Sequence, residues 1–358
     1  MDINHLSAAL ARVSDPSFDS VELFYASHPG WPAVKPVPAV GKSEAAREED
    51  EGKTPPRKRQ RIHIAVFDSS FNPPTRAHLA ISLTSYPPRT SLPSITSSAA
   101  TTTSTSTCTS ANVDEPYTAR LLLLSARNVD KTPKPGDATF VQRIEMMRLQ
   151  ALDMEENVGV TATSAEAAPA AMVDDSAGNV AVAALNHPTF VGKSDILLRW
   201  LRRQRFTSSP STLQQDSAPA AEQDPEIRLT FLIGTDTLLR LFIPKYYTPA
   251  PRLGRDMDAH LRKLFQEDGS DIVVAHRGAS RQAREEEERF VFSQPACRDL
   301  VASGKIRFVQ EGEVGEAERE MSSTRVRRAL LDGREAEARL LMGKRVGEYV
   351  VKEGLYRV

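Results

Sequence analysis

The chain has little that would tie it to an oxidising compartment, a bilayer or a nucleic acid. Only two cysteines, Cys108 and Cys297, stand in its 358 residues, far apart. Cys108 falls in a low-complexity tract, so neither a disulfide framework nor a cysteine metal site is supported, and an intracellular protein is expected, in the cytoplasm, the nucleus or both. No apolar run approaches the roughly 18 residues that span a membrane. The start, Met1-Asp2-Ile3-Asn4, lacks the positive and apolar regions of a signal peptide. A formal net charge of −1 and a pI near 6.7 argue against a general nucleic-acid binder. No internal repeat is evident, and no cluster of carboxylates suggests a metal cage built by the protein itself.

What is present is a globular composition, 40% hydrophobic and 26% charged, enough for a sizeable core. The 24 prolines and several biased tracts show that part of the chain lies outside that core. Two regions are expected. Residues 1–60 read as an N-terminal extension and charged linker, with a short amphipathic pattern (Leu6, Leu10, Val13) and a strand in which Val21, Leu23 and Tyr25 alternate. The run Pro55-Pro56-Arg57-Lys58-Arg59-Gln60-Arg61 fits a nuclear localisation signal and a plain solvated charge run equally well. Residues 61–358 read as one α/β domain carrying low-complexity insertions near 87–117 and 207–226, too polar to bury much and expected to be disordered.

Within that domain, strands are expected at Ile62–Phe67, Ala119–Ser125, Val158–Val160, Val180–Leu185, Ile227–Ile233, Asp271–His276 and Lys305–Val309. Helices are expected from Thr75 to near Tyr86, and at Ala138–Asp153, Ser194–Arg205, Thr237–Phe242, Arg252–Gln266, Ala283–Arg289, from Ser322 or Ser323 onward, and at Val346–Glu353. This alternation predicts a Rossmann-like parallel sheet with helices on both faces and right-handed crossovers, with ligands at the carboxyl ends of the strands.

The chain is organised around Ile62–Ile81, a buried strand followed by the turn Asp68-Ser69-Ser70-Phe71-Asn72-Pro73-Pro74 and a helix capped by Thr75. Such a unit can converge backbone N–H groups on an anion at the helix N-terminus, and His78, three residues after Thr75, can face the same anion. Most strand–turn–helix units bind nothing, and a lone histidine is usually a core or surface residue. A second stretch, Ser322-Ser323-Thr324-x-Val326-Arg327, repeats the logic: a capped helix start with a guanidinium one turn in, suited to phosphate. On its own it also reads as an ordinary capped helix with a surface arginine.

Together the strings S-F-N-P-P-T-x-x-H and S-S-T-x-V-R resemble the first and last motifs of the nucleotidylyltransferase superfamily, G-x-F-N-P-x-[HT]-x-x-H and I-S-S-T-x-[IV]-R, and especially its nicotinamide-mononucleotide adenylyltransferase branch. Gly234-Thr235-Asp236-x-Leu238 is similar to the family's G-[AT]-D-x-L, Asp271–Gly278 to its later strand followed by an arginine, and Val346–Arg357 to the V-x-x-Y…L-Y close of the bacterial nicotinate-mononucleotide branch. D-S-S-F-N-P-P-T-x-A-H-L, with a comparable N-terminal extension, also resembles a fungal adenylyltransferase-like group. The resemblance covers about residues 61–358. It implies transfer of AMP from ATP to nicotinamide (or nicotinate) mononucleotide, with His78 and Arg327 as catalytic residues. Ser69, Ser70, Phe71, Thr75, Gly234, Asp236, Arg277, Ser323 and Thr324 would contact the nucleotide. Mg²⁺ would be bound through the ATP phosphates, with no metal ligands from the protein, no membrane and no nucleic acid among its partners, and a homo-oligomer left open. Lys131 and Lys134 are weaker candidates on the acceptor side, as readily plain surface charge, and Phe190 and Trp200 are candidates to stack a pyridine ring. Ser69 departs from the family, standing where a glycine usually lets the backbone approach the nucleotide.

Overall fold

The computed structural model describes residues 3–32, 61–85, 115–127, 135–163, 175–204, 225–247, 255–276, 281–309 and 312–357. The expected low-complexity insertions up to 114 and up to 224, the linker with its basic run up to Gln60, and Lys131, Lys134, Arg277 and Cys108 lie outside them. A seven-stranded sheet runs β1-β4-β3-β2-β5-β6-β7, with β1 (Val21–Ala26), β2 (Arg61–Asp68), β3 (Ala119–Ser125), β4 (Val180–Leu185), β5 (Glu226–Gly234), β6 (Asp271–Ala275) and β7 (Ile306–Phe308). Only β1 is antiparallel to its neighbour, and the other pairs are parallel. From β2 the chain moves outward through β3 to β4, then returns to β5 on the other side of β2 and moves outward again to β7. That reversal between β2 and β5 opens a crevice at the carboxyl ends of the strands, where doubly wound sheets bind nucleotides.

The central strands are apolar nearly throughout because both faces of the sheet are covered. Ile62, Ile64 and Val66 of β2 pack in one core with Ile196, Leu197 and Leu201 of α4 (Phe190–Arg203). Ala65 and Phe67 point the opposite way, into a core with Ile144, Met147 and Ala151 of α3 (Phe140–Thr163) and Leu6, Leu10 and Val13 of α1 (Ile3–Ser14). This alternation is the period of two of a strand. A third core, with Met146, Val326, Leu330, Met342, Val346 and Tyr356, joins α3 to the C-terminal helices α10 (Ser323–Leu331), α11 (Glu335–Leu340) and α12 (Lys344–Lys352). The remaining helices are α2 (Arg76–Ser82), α5 (Thr235–Leu241), α6 (Arg255–Arg262), α7 (Arg281–Ser293), α8 (Pro295–Ala302) and α9 (Glu316–Arg319).

Several expectations are corrected. Val158–Val160 is not a strand: α3 runs through it to Thr163. The first helix stops at Ser82 rather than near Tyr86. The N-terminal segment supplies the sheet's edge strand, and Leu23 and Tyr25 do not share a face. Tyr25, not Phe24, follows Leu23 in the pairing with β4, so a bulge leaves Leu23 exposed and turns Tyr25 inward to donate to Glu155 at 2.5 Å. α8 and α11 had no expected counterpart.

Two buried polar side chains brace the amino-terminal end of the sheet, at the edge opposite the crevice. Arg120 of β3 is buried under α2, and its guanidinium donates to the Ser82 and Thr84 carbonyls (Thr84 at 3.1 Å) and to Ser176 Oγ at 3.1 Å. It thereby satisfies carbonyls at the helix C-terminus, where a cation is also favoured by the dipole. His63 of β2 is 3% exposed. Its Nδ1 lies 2.9 Å from the Glu115 carbonyl, which can only accept, so Nδ1 carries the hydrogen and Nε2 accepts from the Thr230 hydroxyl at 2.8 Å. Burial pushes the imidazole pKa down to about 4. Between pH 6.5 and about 4 the unfolded chain therefore binds a proton that the folded chain refuses. This share of stability is complete above pH 6.5 and is lost as pH falls toward 4, by about 3 kcal/mol. Urea unfolding of wild type and His63→Gln across that window should show a flatter loss in the variant; parallel curves would refute the assignment.

Candidate active site

The turn after β2 is held open by its own residues. Phe71 has φ 45°, a left-handed conformation costing a bulky residue on the order of 1–3 kcal/mol. Its buried ring offsets this by packing edge-on against Phe67 at 5.6 Å and beside His78 at 5.9 Å. Asn72–Pro73 is a cis peptide. Thr75 caps α2 but is only 1% exposed. Its backbone N–H donates to His78 Nδ1 at 3.1 Å, and its hydroxyl lies 2.8 Å from the same nitrogen. A backbone N–H can only donate, so Nδ1 is the acceptor and the neutral ring carries its hydrogen on Nε2. Thr75 thus sets the orientation and tautomer of His78. The Arg76 N–H at the start of α2 donates to the Leu341 carbonyl at 2.9 Å.

α10 closes on this turn from the far end of the sequence. Its cap is Ser322, whose hydroxyl accepts from the Arg325 N–H at 3.2 Å, so Ser323 is left for another role. Ser323 Oγ donates to the Pro73 carbonyl at 2.7 Å. Arg327 Nη1 donates to the Asn72 carbonyl at 2.5 Å and Nη2 to Thr324 Oγ1 at 3.3 Å. The two motifs, separated by about 250 residues, therefore meet side chain to backbone.

Gly234 and Asp236 stand across the crevice. Phe67 pairs with Leu232, so Ser69 and Gly234 leave β2 and β5 at the same level, with Asp236 in the first turn of α5. Ser69 N–H reaches the Leu123 carbonyl at 3.4 Å. Ser70 follows it in the turn, between the strand and Phe71.

On the other flank lies a pair that sequence reasoning missed. Asp68, the last residue of β2, forms an ion pair with Lys193 of α4, their side chains 10% and 6% exposed. Ser125 Oγ donates to the other Asp68 oxygen at 3.1 Å, and the Lys193 ammonium sits 4.8 Å over the Phe190 ring. Phe190 also packs edge-on against Phe231 at 5.4 Å, and Trp200 lies 6.3 Å from Trp31. Nothing in the local sequence of Lys193 flags it, because its partner is 125 residues away. Among the described residues, no group of three or more His, Cys, Asp or Glu side chains is placed to hold a metal ion. No helix among them is long and apolar enough to cross a membrane.

No protein-family model matches the chain, and no curated protein sequence matches it. Among solved structures it is similar to two of Plasmodium falciparum nicotinic acid mononucleotide adenylyltransferase. The one complexed with NaAD aligns at TM-score 0.39 and 11% identity, and the one complexed with APC at TM-score 0.38 and 10% identity. Each alignment covers 83% of this chain and 98% of the other. Likenesses this loose do not extend to activity.

Proposed function

We propose that the chain is a mononucleotide adenylyltransferase, transferring AMP from ATP to nicotinamide mononucleotide to give NAD and pyrophosphate. The observation that carries this reading is the junction of the two motifs, where Arg327 and Ser323 meet the Asn72–Pro73 turn beside the crevice. An oxygen of the acceptor phosphate attacks the α-phosphorus in line, the bond to the bridging oxygen breaks, and pyrophosphate leaves with the electron pair. No protein nucleophile is needed; positioning and charge stabilisation supply the catalysis.

In this scheme His78 donates from Nε2 to charge developing on the α/β phosphates. Arg327, Ser323 and Thr324 hold the β/γ phosphates, and Gly234 and Asp236 contact ribose or base, with Ser69, Ser70 and Phe71 shaping the turn. These phosphate-side groups are cationic or hydroxylic, a donor set that fits a metal carried in on the triphosphate. Mg²⁺ bound to ATP would neutralise phosphate charge there. The finer likeness to a fungal group rests on the D-S-S-F-N-P-P-T-x-A-H-L string and the N-terminal extension.

A second reading is favoured by one observation. Phe190 is engaged by Lys193 and Phe231, and Trp200 lies against Trp31, so both pyridine-stacking candidates already pack within the protein. This suits a divergent member that binds or hydrolyses ATP, or transfers CMP, in another pathway. Purified protein with Mg-ATP and nicotinamide mononucleotide, followed for NAD and pyrophosphate, separates the two. NAD formation supports the first, and phosphate release that ignores the acceptor supports the second. A protein that binds no nucleotide refutes both.

A further inference from the structure

Asn72 lies at the centre of a buried network to which the scheme above gives no role. Its side chain is 6% exposed and uses both ends of its amide. Nδ2 donates to Asp137 Oδ1 at 2.7 Å, while Oδ1 accepts from the Ala138 N–H at 3.1 Å and from the Tyr356 hydroxyl at 2.8 Å. Its own carbonyl accepts from Arg327 at 2.5 Å. Arg143 braces the far side, with Nη2 3.6 Å from Asp137 and Nε donating to the Ala138 carbonyl at 2.9 Å. Three distant segments thus converge on one residue, the longest link spanning 284 positions to Tyr356.

We propose that Tyr356 and Asp137, acting through the Asn72 amide, are positioning residues for Arg327, and this rests on reading Arg327 as a phosphate ligand. The side-chain bonds fix the plane of the Asn72 residue and with it the direction of its carbonyl. That carbonyl and the Thr324 hydroxyl each take one N–H of the guanidinium, which fixes the fork and leaves further N–H groups for phosphate oxygens. A free arginine side chain loses much rotamer freedom when it engages a ligand; one already held loses less. An aspartate could not replace Asn72, because its carboxylate would face Asp137. Tyr356 must stay protonated to donate, and burial raises its pKa above the ordinary phenol value. The residue that secures the phosphate turn therefore sits at the other end of the chain, beyond α12, at φ 61°.

The test is Tyr356→Phe, which keeps the ring and removes the hydroxyl. ATP saturation at fixed acceptor, equilibrium binding of a fluorescent Mg-ATP analogue, and a thermal melt are measured together. Loss of one positioning hydrogen bond should raise the KM for ATP and the analogue Kd about threefold to tenfold, with kcat and the acceptor KM unchanged. The change should vanish when Arg327 is already alanine. Asp137→Asn, whose carbonyl still accepts from Asn72, should bind nucleotide as wild type does, while Asp137→Ala should follow Tyr356→Phe. A lowered melting temperature with unaltered nucleotide binding would mean a purely structural network and overturn the proposal. So would an equal further loss in the Arg327→Ala background. If wild type binds the analogue but makes no NAD, the proposed reaction fails while the binding measurements still decide on the lock.

Discussion

His78→Ala is expected to lower the rate of adenylyl transfer by roughly 10²–10³, the usual consequence of removing one donor aimed at developing charge. The argument rests on the tautomer. Nδ1 accepts the Thr75 N–H, so the ring presents its hydrogen at Nε2. Because the interaction strengthens as charge moves onto the phosphates, the loss should fall on kcat, with KM for ATP changing little. Thr75→Val tests the same geometry indirectly. It removes the hydroxyl 2.8 Å from Nδ1 but keeps the backbone donor, so a smaller loss, within about tenfold, is expected. Steady-state kinetics on both variants decide the matter. A His78→Ala enzyme within fivefold of wild type would remove the histidine from the chemistry.

What the sequence made legible was local. β3 and β4 fall where continuous apolar runs put them, Ala119–Ser125 and Val180–Leu185, because strands buried on both faces leave no polar alternation to misread. The cap at Thr75 and the helix after Ser322 were readable for the same reason, since cap, turn and first helical turn are neighbours in the chain. Val158–Val160 misled because β-branched residues favour strands, yet they close a long helix whose earlier turns are anchored in two cores. The bulge after Leu23 was unreadable, because it depends on the partner strand. At the site, each motif could be named alone. Their junction, the Asn72 network and the Asp68–Lys193 pair depend on which distant segments the sheet order brings together, and none leaves a periodic trace in sequence.

The second large effect is on stability, at that same pair. Asp68→Ala should cost about 3–5 kcal/mol, because it leaves the Lys193 ammonium nearly buried with its main counter-charge gone. Lys193→Met should be costly too, stranding a carboxylate supported, among the described residues, by the Ser125 hydroxyl. Joining Lys193→Met with Asp68→Leu should recover most of the loss, since an apolar pair of similar volume escapes both desolvation penalties and can pack on Phe190. Urea unfolding of the two charge-stranding singles and the double variant gives the comparison directly. A double variant no better than the singles would mean that shape, not charge, makes the site sensitive. Recovery of stability raises the sharper question of why an ion pair stands there at all. Buried pairs rarely win on stability, and this one ends β2 immediately before Ser69 and Ser70, where the turn enters the crevice. A stable double variant that still binds ATP poorly would mean that the pair is kept to hold the turn's entry in place.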